Sequence, residues 1–171
     1  MSLKVLIVGG VAGGASAAAR LRRLDETAEI IIFEKGEYIS YANCGLPYYI
    51  GEVIRKKEKL IIQTPENMKK RFNIDVRVNS EVLSIDRKNK TVDVFDRTNN
   101  KIYKESYDRL ILSPGAEPVK PRLVGIDSQR IFTLRDIPDT YRIKDFMESN
   151  KPGNAVIVGA GFIGLEMAEN L

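Results

Sequence analysis

Leu3-Lys4-Val5-Leu6-Ile7-Val8-Gly9-Gly10-Val11-Ala12-Gly13-Gly14 is the stretch that decides the fold. Six residues, mostly apolar and β-branched, end abruptly in glycines, the pattern of a short buried strand. From Gly13 to Leu24 the chain is rich in alanine, a strong helix former whose small side chain packs closely on a sheet. Ile30 to Phe33 is again short and apolar. Strand, helix and strand in this order predict a βαβ unit with a parallel, right-handed crossover. The glycine turn between strand and helix has a chemical meaning of its own. Glycines permit a tight bend and close approach of a pyrophosphate, and the helix N-terminus offers unpaired N–H groups and a positive dipole end. The register is Gly9, Val11, Gly14, with Val11 where such a turn usually has its middle glycine. Ala12 and Gly13 complete the turn, and Glu34 ends the next strand about 20 residues on, where an acid holds a ribose hydroxyl. These residues predict dinucleotide binding.

The pattern recurs. Ala155-Val156-Ile157-Val158-Gly159-Ala160-Gly161-Phe162-Ile163-Gly164 repeats the strand and glycine turn, here with the glycine spacing intact. Two such turns predict two dinucleotides. The residue that would choose between NADH and NADPH lies past Leu171, where the chain stops inside a helical pattern without a capping signal, so a piece of a longer chain is expected.

Between the two turns the character changes. Thr64 is a plausible N-cap for a short helix over Pro65–Phe72. Ile74–Val78, Glu81–Asp86, Thr91–Asp96 and Lys101–Glu105 read as strands of an antiparallel meander, separated by turn residues, and Arg109–Ser113 as a further apolar strand. Pro114, Pro118, Pro121 and Gly125 mark a connection and domain boundary. Arg135–Ser149 reads as an amphipathic helix, Ala155–Val158 as a strand, and a last helix begins near Phe162. Domains are therefore expected at 1–115 and 116–171.

Composition narrows the function. Of 171 residues 43% are apolar, enough for a sizeable core. A net charge of +4 suits nucleotides and phosphates, but the basic residues are interspersed with acids, and no recognition motif accompanies them, so nucleic acid is not expected as a partner. There is one cysteine and no histidine, which excludes an intramolecular disulfide, a Cys/His zinc site and any His-paired nucleophile within this chain. No metal site is expected. A lone free thiol fits a reducing cytoplasm, and neither a signal-peptide pattern nor a membrane-length apolar run is present.

That cysteine lies in Ser40-Tyr41-Ala42-Asn43-Cys44-Gly45-Leu46-Pro47-Tyr48, just after the first βαβ unit and at the expected start of a short helix. A helix N-terminus favours the thiolate, and Gly45 beside it allows close approach by a flavin or substrate. A single cysteine also has a bland reading, that of a small buried hydrophobe.

With these motifs together, the chain resembles the pyridine-nucleotide–disulfide oxidoreductases, and its Asn-Cys-Gly-Leu-Pro-Tyr run resembles their single-cysteine branch: coenzyme A-disulfide reductases, some carrying a rhodanese domain, and the related NADH oxidases, peroxidases and persulfide reductases. The resemblance implies an α/β fold, with a Rossmann-like FAD-binding domain built on a parallel sheet and an antiparallel β-meander, followed by the start of a second Rossmann-like domain for NAD(P)H. It implies FAD along Gly9, Val11, Ala12, Gly13 and Gly14, with Glu34 on the ribose, Lys35 beside it, Asn43 nearby and the Val82 backbone at the adenine. Ser113 and Gly115 would form the second flavin-contact segment. Gly159, Gly161 and Gly164 would hold the nicotinamide cofactor, with Ile163 and Glu166 near the nicotinamide–flavin stack. Cys44 would carry electrons to a small disulfide such as coenzyme A disulfide. Ser16, Arg20, Arg23, Ser40 and Asn43 would bind that substrate, Arg being well suited to its phosphates. The bland reading of Arg20, Arg22 and Arg23 is a solvated helix face. The oxidase or peroxidase alternative cycles Cys44 through a sulfenic acid. A further alternative makes this stretch a binding module alone, because the family completes its flavin domain and adds a dimerisation domain after the nicotinamide domain. The full-length protein is accordingly expected as a homodimer.

Overall fold

The computed structural model describes residues 2–171. They form two compact units: one comprises the chain up to Tyr41 together with Ile61–Gly115, the other Ala42–Leu60 with Ala116–Leu171.

In the first unit β1 (Lys4–Val8), α1 (Ala12–Leu24) and β2 (Glu29–Phe33) form the βαβ unit. In the second unit α2 (Leu46–Ile50) follows a 3-10 turn over Asn43–Gly45. The chain then re-enters the first unit with α3 (Pro65–Phe72), β3 (Asp75–Arg77), β4 (Ser80–Asp86), β5 (Thr91–Asp96), β6 (Lys101–Ser106) and β7 (Arg109–Leu112). A parallel sheet runs β3-β2-β1-β7, and a separate antiparallel sheet runs β4-β5-β6. The meander therefore has three strands. The stretch around Asp75–Arg77 was expected within it, but instead extends the parallel sheet beside β2, pairing Ile31, Ile32 and Phe33 with Asp75, Val76 and Arg77. Three apolar-alternating residues do not encode their partner; the following Asn79, in a left-handed conformation with φ 51°, turns the chain out of one sheet and into the other.

Period-two alternation explains the layers. Val5, Ile7, Ile30 and Ile32 face one side, against Ala18, Ala28, Ile39, Met68 and Ile74. Leu6, Ile31 and Phe33 face the other, against Val92 and Val94 of the meander. Both faces of the parallel sheet are covered, which is why its central strands read as unbroken apolar runs. Each fully buried isoleucine contributes about 1.5–3 kcal/mol relative to exposure. The α3 boundaries and cap match the sequence reading: Thr64 Oγ1 accepts from the Asn67 N–H at 3.2 Å, and Asn73 closes the helix with φ 48°.

An ionic cluster joins the sheets within this unit. Arg77 pairs with Asp75 (3.0 Å) and Glu105 (2.6 Å), donates to Tyr103 Oη (3.1 Å), and stacks 5.5 Å from the Phe33 ring centroid. Lys4 Nζ reaches the same Glu105 at 2.7 Å.

In the second unit α2 packs Ile50 against Ile143 and Met167 of α4 (Ile137–Asn150) and α5 (Phe162–Asn170). α4 starts at Ile137 rather than Arg135, because Asp136 is its N-cap, with a carboxylate that accepts from the Asp139 N–H at 2.9 Å. Ala155–Val158, expected as a strand, forms no strand and pairs with none among the described residues, and Val156 and Val158 are almost fully exposed. A strand is defined by its ladder partner, and apolar periodicity does not supply one. No helix among the described residues is long and apolar enough to cross a membrane.

Candidate functional site

Val8, Phe33 and Leu112 lie side by side at the carboxyl ends of three neighbouring parallel strands. Gly9, Glu34 and Ser113 each come one residue later, so the register delivers all three to one sheet edge, the edge where α/β sheets receive ligands. Backbone bonds lock this edge: Gly9 N–H donates to Phe33 O at 2.8 Å and Ser113 N–H to Val8 O at 2.7 Å.

The glycines there have separate causes. Gly9 has φ 94°, and a Cβ on it would stand 2.0 Å from the Ser113 carbonyl oxygen. A Cβ on Gly14 would stand 1.7 Å from the Gly9 carbonyl oxygen. Gly14 is thus required for the helix to close onto the turn, while Val11, the non-glycine, serves as N-cap with no side-chain capping bond. The first N–H groups of α1 carry no side-chain cap and no acidic residue stands in its first turn, while Ala12 and Gly13 are exposed. This is the donor set a pyrophosphate needs.

Glu34, only 9% exposed, accepts from Gly10 N–H at 2.8 Å and from Gly36 N–H at 3.0 Å, one bond to each carboxylate oxygen. A carboxylate has about four acceptor sites, so capacity for two ribose hydroxyls remains. The residues therefore fit a dinucleotide. Lys35 is exposed beside it. Gly115, with φ 73°, ends the segment opened by Ser113, whose Oγ would lie 3.2 Å from a Cβ on Gly13. Val82 follows Ser80 by two residues. It belongs to β4, which starts where Ser80 N–H donates to Glu34 O, and its side chain packs into the core with Phe33. The ladder slips between Val82 and Ser84.

The second turn repeats the first. Gly159 has φ 112°, and a Cβ on Gly164 would stand 2.1 Å from the Gly159 carbonyl oxygen, as Gly14 does with Gly9. Gly161 caps α5 without a side-chain bond, and nothing lies within 4 Å of a Cβ placed on it. The turn fits a second dinucleotide. Ile163 is exposed, and Glu166 is half-buried in the following turn.

Cys44 is exposed, in the middle of the 3-10 turn that leads into the five-residue α2. Its neighbours correct one expectation. Gly45 is buried, and a Cβ there would meet Leu60 at 3.1 Å and Ile54 at 3.3 Å, so its smallness serves packing behind the cysteine rather than access in front of it. The Asn43 Oδ1 is buried without a hydrogen-bond partner, an acceptor still to be satisfied. Ser40 has φ 43°; its N–H donates to Gly10 O at 3.0 Å and its carbonyl accepts from Ile62 and Gln63, which ties the first glycine turn to the segment around residues 62–63.

Ser16, Arg20 and Arg23 share one exposed face of α1 at i, i+4 and i+7. Arg22 does not join them. The expectation of a solvated arginine fails there, because its guanidinium is spent on backbone carbonyls of five residues. Sequence alone gives no signal for this, since nothing in Arg-Leu-Arg-Arg separates the three. The Gly10 and Gly36 donors to Glu34 were also missed, although a glycine two residues after a strand-ending acid is a usable sign.

Comparison with known proteins agrees with this geometry. The pyridine nucleotide-disulphide oxidoreductase family matches residues 3–171. The chain is 45% identical over 168 residues to the coenzyme A disulfide reductase of Staphylococcus haemolyticus (strain JCSC1435), covering 98% of this chain and 38% of that protein. It thus spans well under half the length of that relative. Reduced Bacillus anthracis CoADR-RHD superposes with a TM-score of 0.97 at 57% identity, over 99% of this chain and 31% of that one. The water-forming NADH oxidase from Lactobacillus brevis, bound to NADH, superposes with a TM-score of 0.90 at 33% identity, over 99% of this chain and 37% of that one. The chain belongs to the pyridine nucleotide-disulphide oxidoreductase family.

Proposed function

We propose that this chain is part of an FAD-dependent NAD(P)H oxidoreductase that reduces coenzyme A disulfide, or a related small disulfide or persulfide, through Cys44. The observation that carries the reading is one exposed cysteine in a chain with two glycine turns of the same build. In this reading Gly9–Gly14, Glu34, Ser113 and Gly115 hold FAD, with Val82 reached through its backbone, and Gly159–Gly164 with Ile163 and Glu166 hold NAD(P)H. Residues 1–115 are the N-terminal part of the flavin domain and 116–171 the connection and start of the nicotinamide domain.

Bound FAD supplies the relay of two electrons from NAD(P)H to the protein sulfur. The chain's own chemistry is thiol exchange. The Cys44 thiolate attacks one sulfur of the substrate disulfide, the S–S bond breaks, and one thiolate leaves while a mixed disulfide forms on Cys44. Two electrons and a proton then release the second thiol and restore the thiolate. Asn43, next to Cys44 in the chain, offers its side-chain amide to the substrate beside the sulfur. Ser16, Arg20 and Arg23 offer a hydroxyl and two guanidinium groups to the phosphates of coenzyme A. A cytoplasmic homodimer, with neither nucleic acid nor membrane as partner, completes the proposal.

The likeness to a water-forming NADH oxidase supports a second reading, in which Cys44 cycles through a sulfenic acid. The two separate in the full-length protein by following NADH consumption with coenzyme A disulfide, peroxide or O₂ as acceptor. Turnover on the disulfide that disappears in Cys44→Ser supports the first. Turnover on O₂ or peroxide, with none on the disulfide, replaces it with the second.

A further inference from the structure

Arg22 uses every N–H of its guanidinium on the main chain. Nε donates to Phe72 O (2.7 Å); one terminal nitrogen donates to Asp25 O (3.1 Å) and Glu26 O (2.7 Å); the other donates to Ala28 O (2.7 Å) and Asn73 O (2.9 Å). These carbonyls come from the loop leaving α1, from the residue before β2, and from the C-terminal end of α3. Two of them, Phe72 and Asn73, are at a helix end whose partial negative charge favours a cation. No carboxylate is among the acceptors, so the geometry is that of a rigid fork and not of an ion pair.

At about 100° of turn per residue, Arg22 is about 200° around α1 from Arg20. A fork held at five points on one side of the last helical turn sets both the roll of α1 and the position of its C-terminal end. Ser16, Arg20 and Arg23 are on that same helix, exposed, and their side chains form no hydrogen bond or ion pair with any described residue. Their direction therefore follows from the roll of the helix. We propose that Arg22 is a positioning residue for the recognition of phosphate-bearing disulfides: it does not touch substrate, but aims Arg20 and Arg23. This rests on the reading of Ser16, Arg20 and Arg23 as the face that meets coenzyme A.

The test uses the full-length protein with Arg22→Gln and Arg22→Lys. Steady-state kinetics at saturating NADH compare coenzyme A disulfide with 2-hydroxyethyl disulfide, which has no phosphate, alongside flavin content and thermal midpoint. The expected result in Arg22→Gln is a KM for coenzyme A disulfide raised by about tenfold, the size of one misdirected charge-assisted hydrogen bond, with kcat unchanged. Kinetics on 2-hydroxyethyl disulfide and flavin content should stay at wild-type values. Arg22→Lys, which keeps the charge and three donors without the planar fork, should recover part of the loss; it also carries the test should Arg22→Gln fail to fold. An equal loss on both disulfides, tracking the thermal midpoint, would make Arg22 purely structural and overturn the proposal, as would no change on either. A wild-type protein with no preference for coenzyme A disulfide over 2-hydroxyethyl disulfide would instead remove the reading on which the proposal rests, and the proposal with it.

Discussion

At Gly14 a methyl group would be driven to 1.7 Å from the Gly9 carbonyl oxygen, whereas at Gly161 it would meet nothing. Two glycines of equivalent-looking motifs thus answer different demands. Gly14→Ala should destabilise the fold by about 3 kcal/mol, the upper range for overpacking, because backbone rather than a movable side chain is in the way. Gly161→Ala should leave the thermal midpoint within about 1 °C of wild type, as for a surface change away from any packed feature. In the full-length protein it should nevertheless raise the KM for the nicotinamide cofactor, since the Cβ enters open space at the helix start. Urea unfolding and cofactor titration check the pair; a large stability loss in Gly161→Ala would contradict the assignment. At this scale the sequence was informative where spacing encodes geometry. Glu34 and both glycine turns were legible because tight turns and strand-ending acids sit at fixed offsets. The fate of Arg22 was not, because five carbonyls brought together by tertiary structure leave no trace in residue types. The role of Gly45 was misjudged for the same reason: what surrounds it comes from Ile54 and Leu60.

Helix caps and the ionic cluster act at the scale of elements. Thr64→Ala removes the acceptor for the Asn67 N–H and should cost about 1 kcal/mol, read as a shift in the denaturant midpoint without a change in slope. The Glu105 carboxyl is pushed up by burial, but hydrogen bonds from Lys4 and Arg77 outweigh that and hold it below its ordinary value. Burial opposes the charge on Arg77 too, and is outweighed by Tyr103 and Glu105, so its pKa is raised. A carboxyl depressed in the folded state stabilises the fold above its unfolded value, near 4.3, and that contribution is lost as pH falls through the folded value. Glu105→Gln should therefore lower stability at neutral pH by on the order of 1 kcal/mol, a figure limited by partial exposure, and flatten the loss of stability below about pH 5. Parallel acid-denaturation curves for variant and wild type would contradict this. Helix and strand existence was read correctly through most of this unit, since buried strands and an Ala-rich helix have strong periods. Partner choice was not, as β3 shows: pairing with β2 depends on a turn at Asn79 and not on any preference in Asp75-Val76-Arg77.

For the whole molecule, the order of elements was legible but their grouping was not. Residues 42–60, which carry Cys44, fold with residues 116–171 rather than with the flanking strands, because the apolar side of α2 meets α4 and α5. Short apolar helices do not announce which core they join. The same scale explains Ala155–Val158, whose strand pattern is real in sequence and unpaired in structure. Amide hydrogen exchange on the 171-residue chain should show Val5–Val8 strongly protected and residues 155–158 exchanging at nearly the rate of an open chain. Matching protection at both would mean that the second strand finds a partner.

In the proposed function Cys44 and a bound flavin form one redox couple. An anaerobic titration of the full-length protein with NADH, followed by flavin absorbance, tests it most directly. The reading predicts a flavin spectrum that bleaches only after a first equivalent of NADH has been spent on the cysteine's mixed disulfide, two equivalents in all, falling to one in Cys44→Ser. A protein that takes up no FAD, or a titration that Cys44→Ser leaves unchanged, would contradict it.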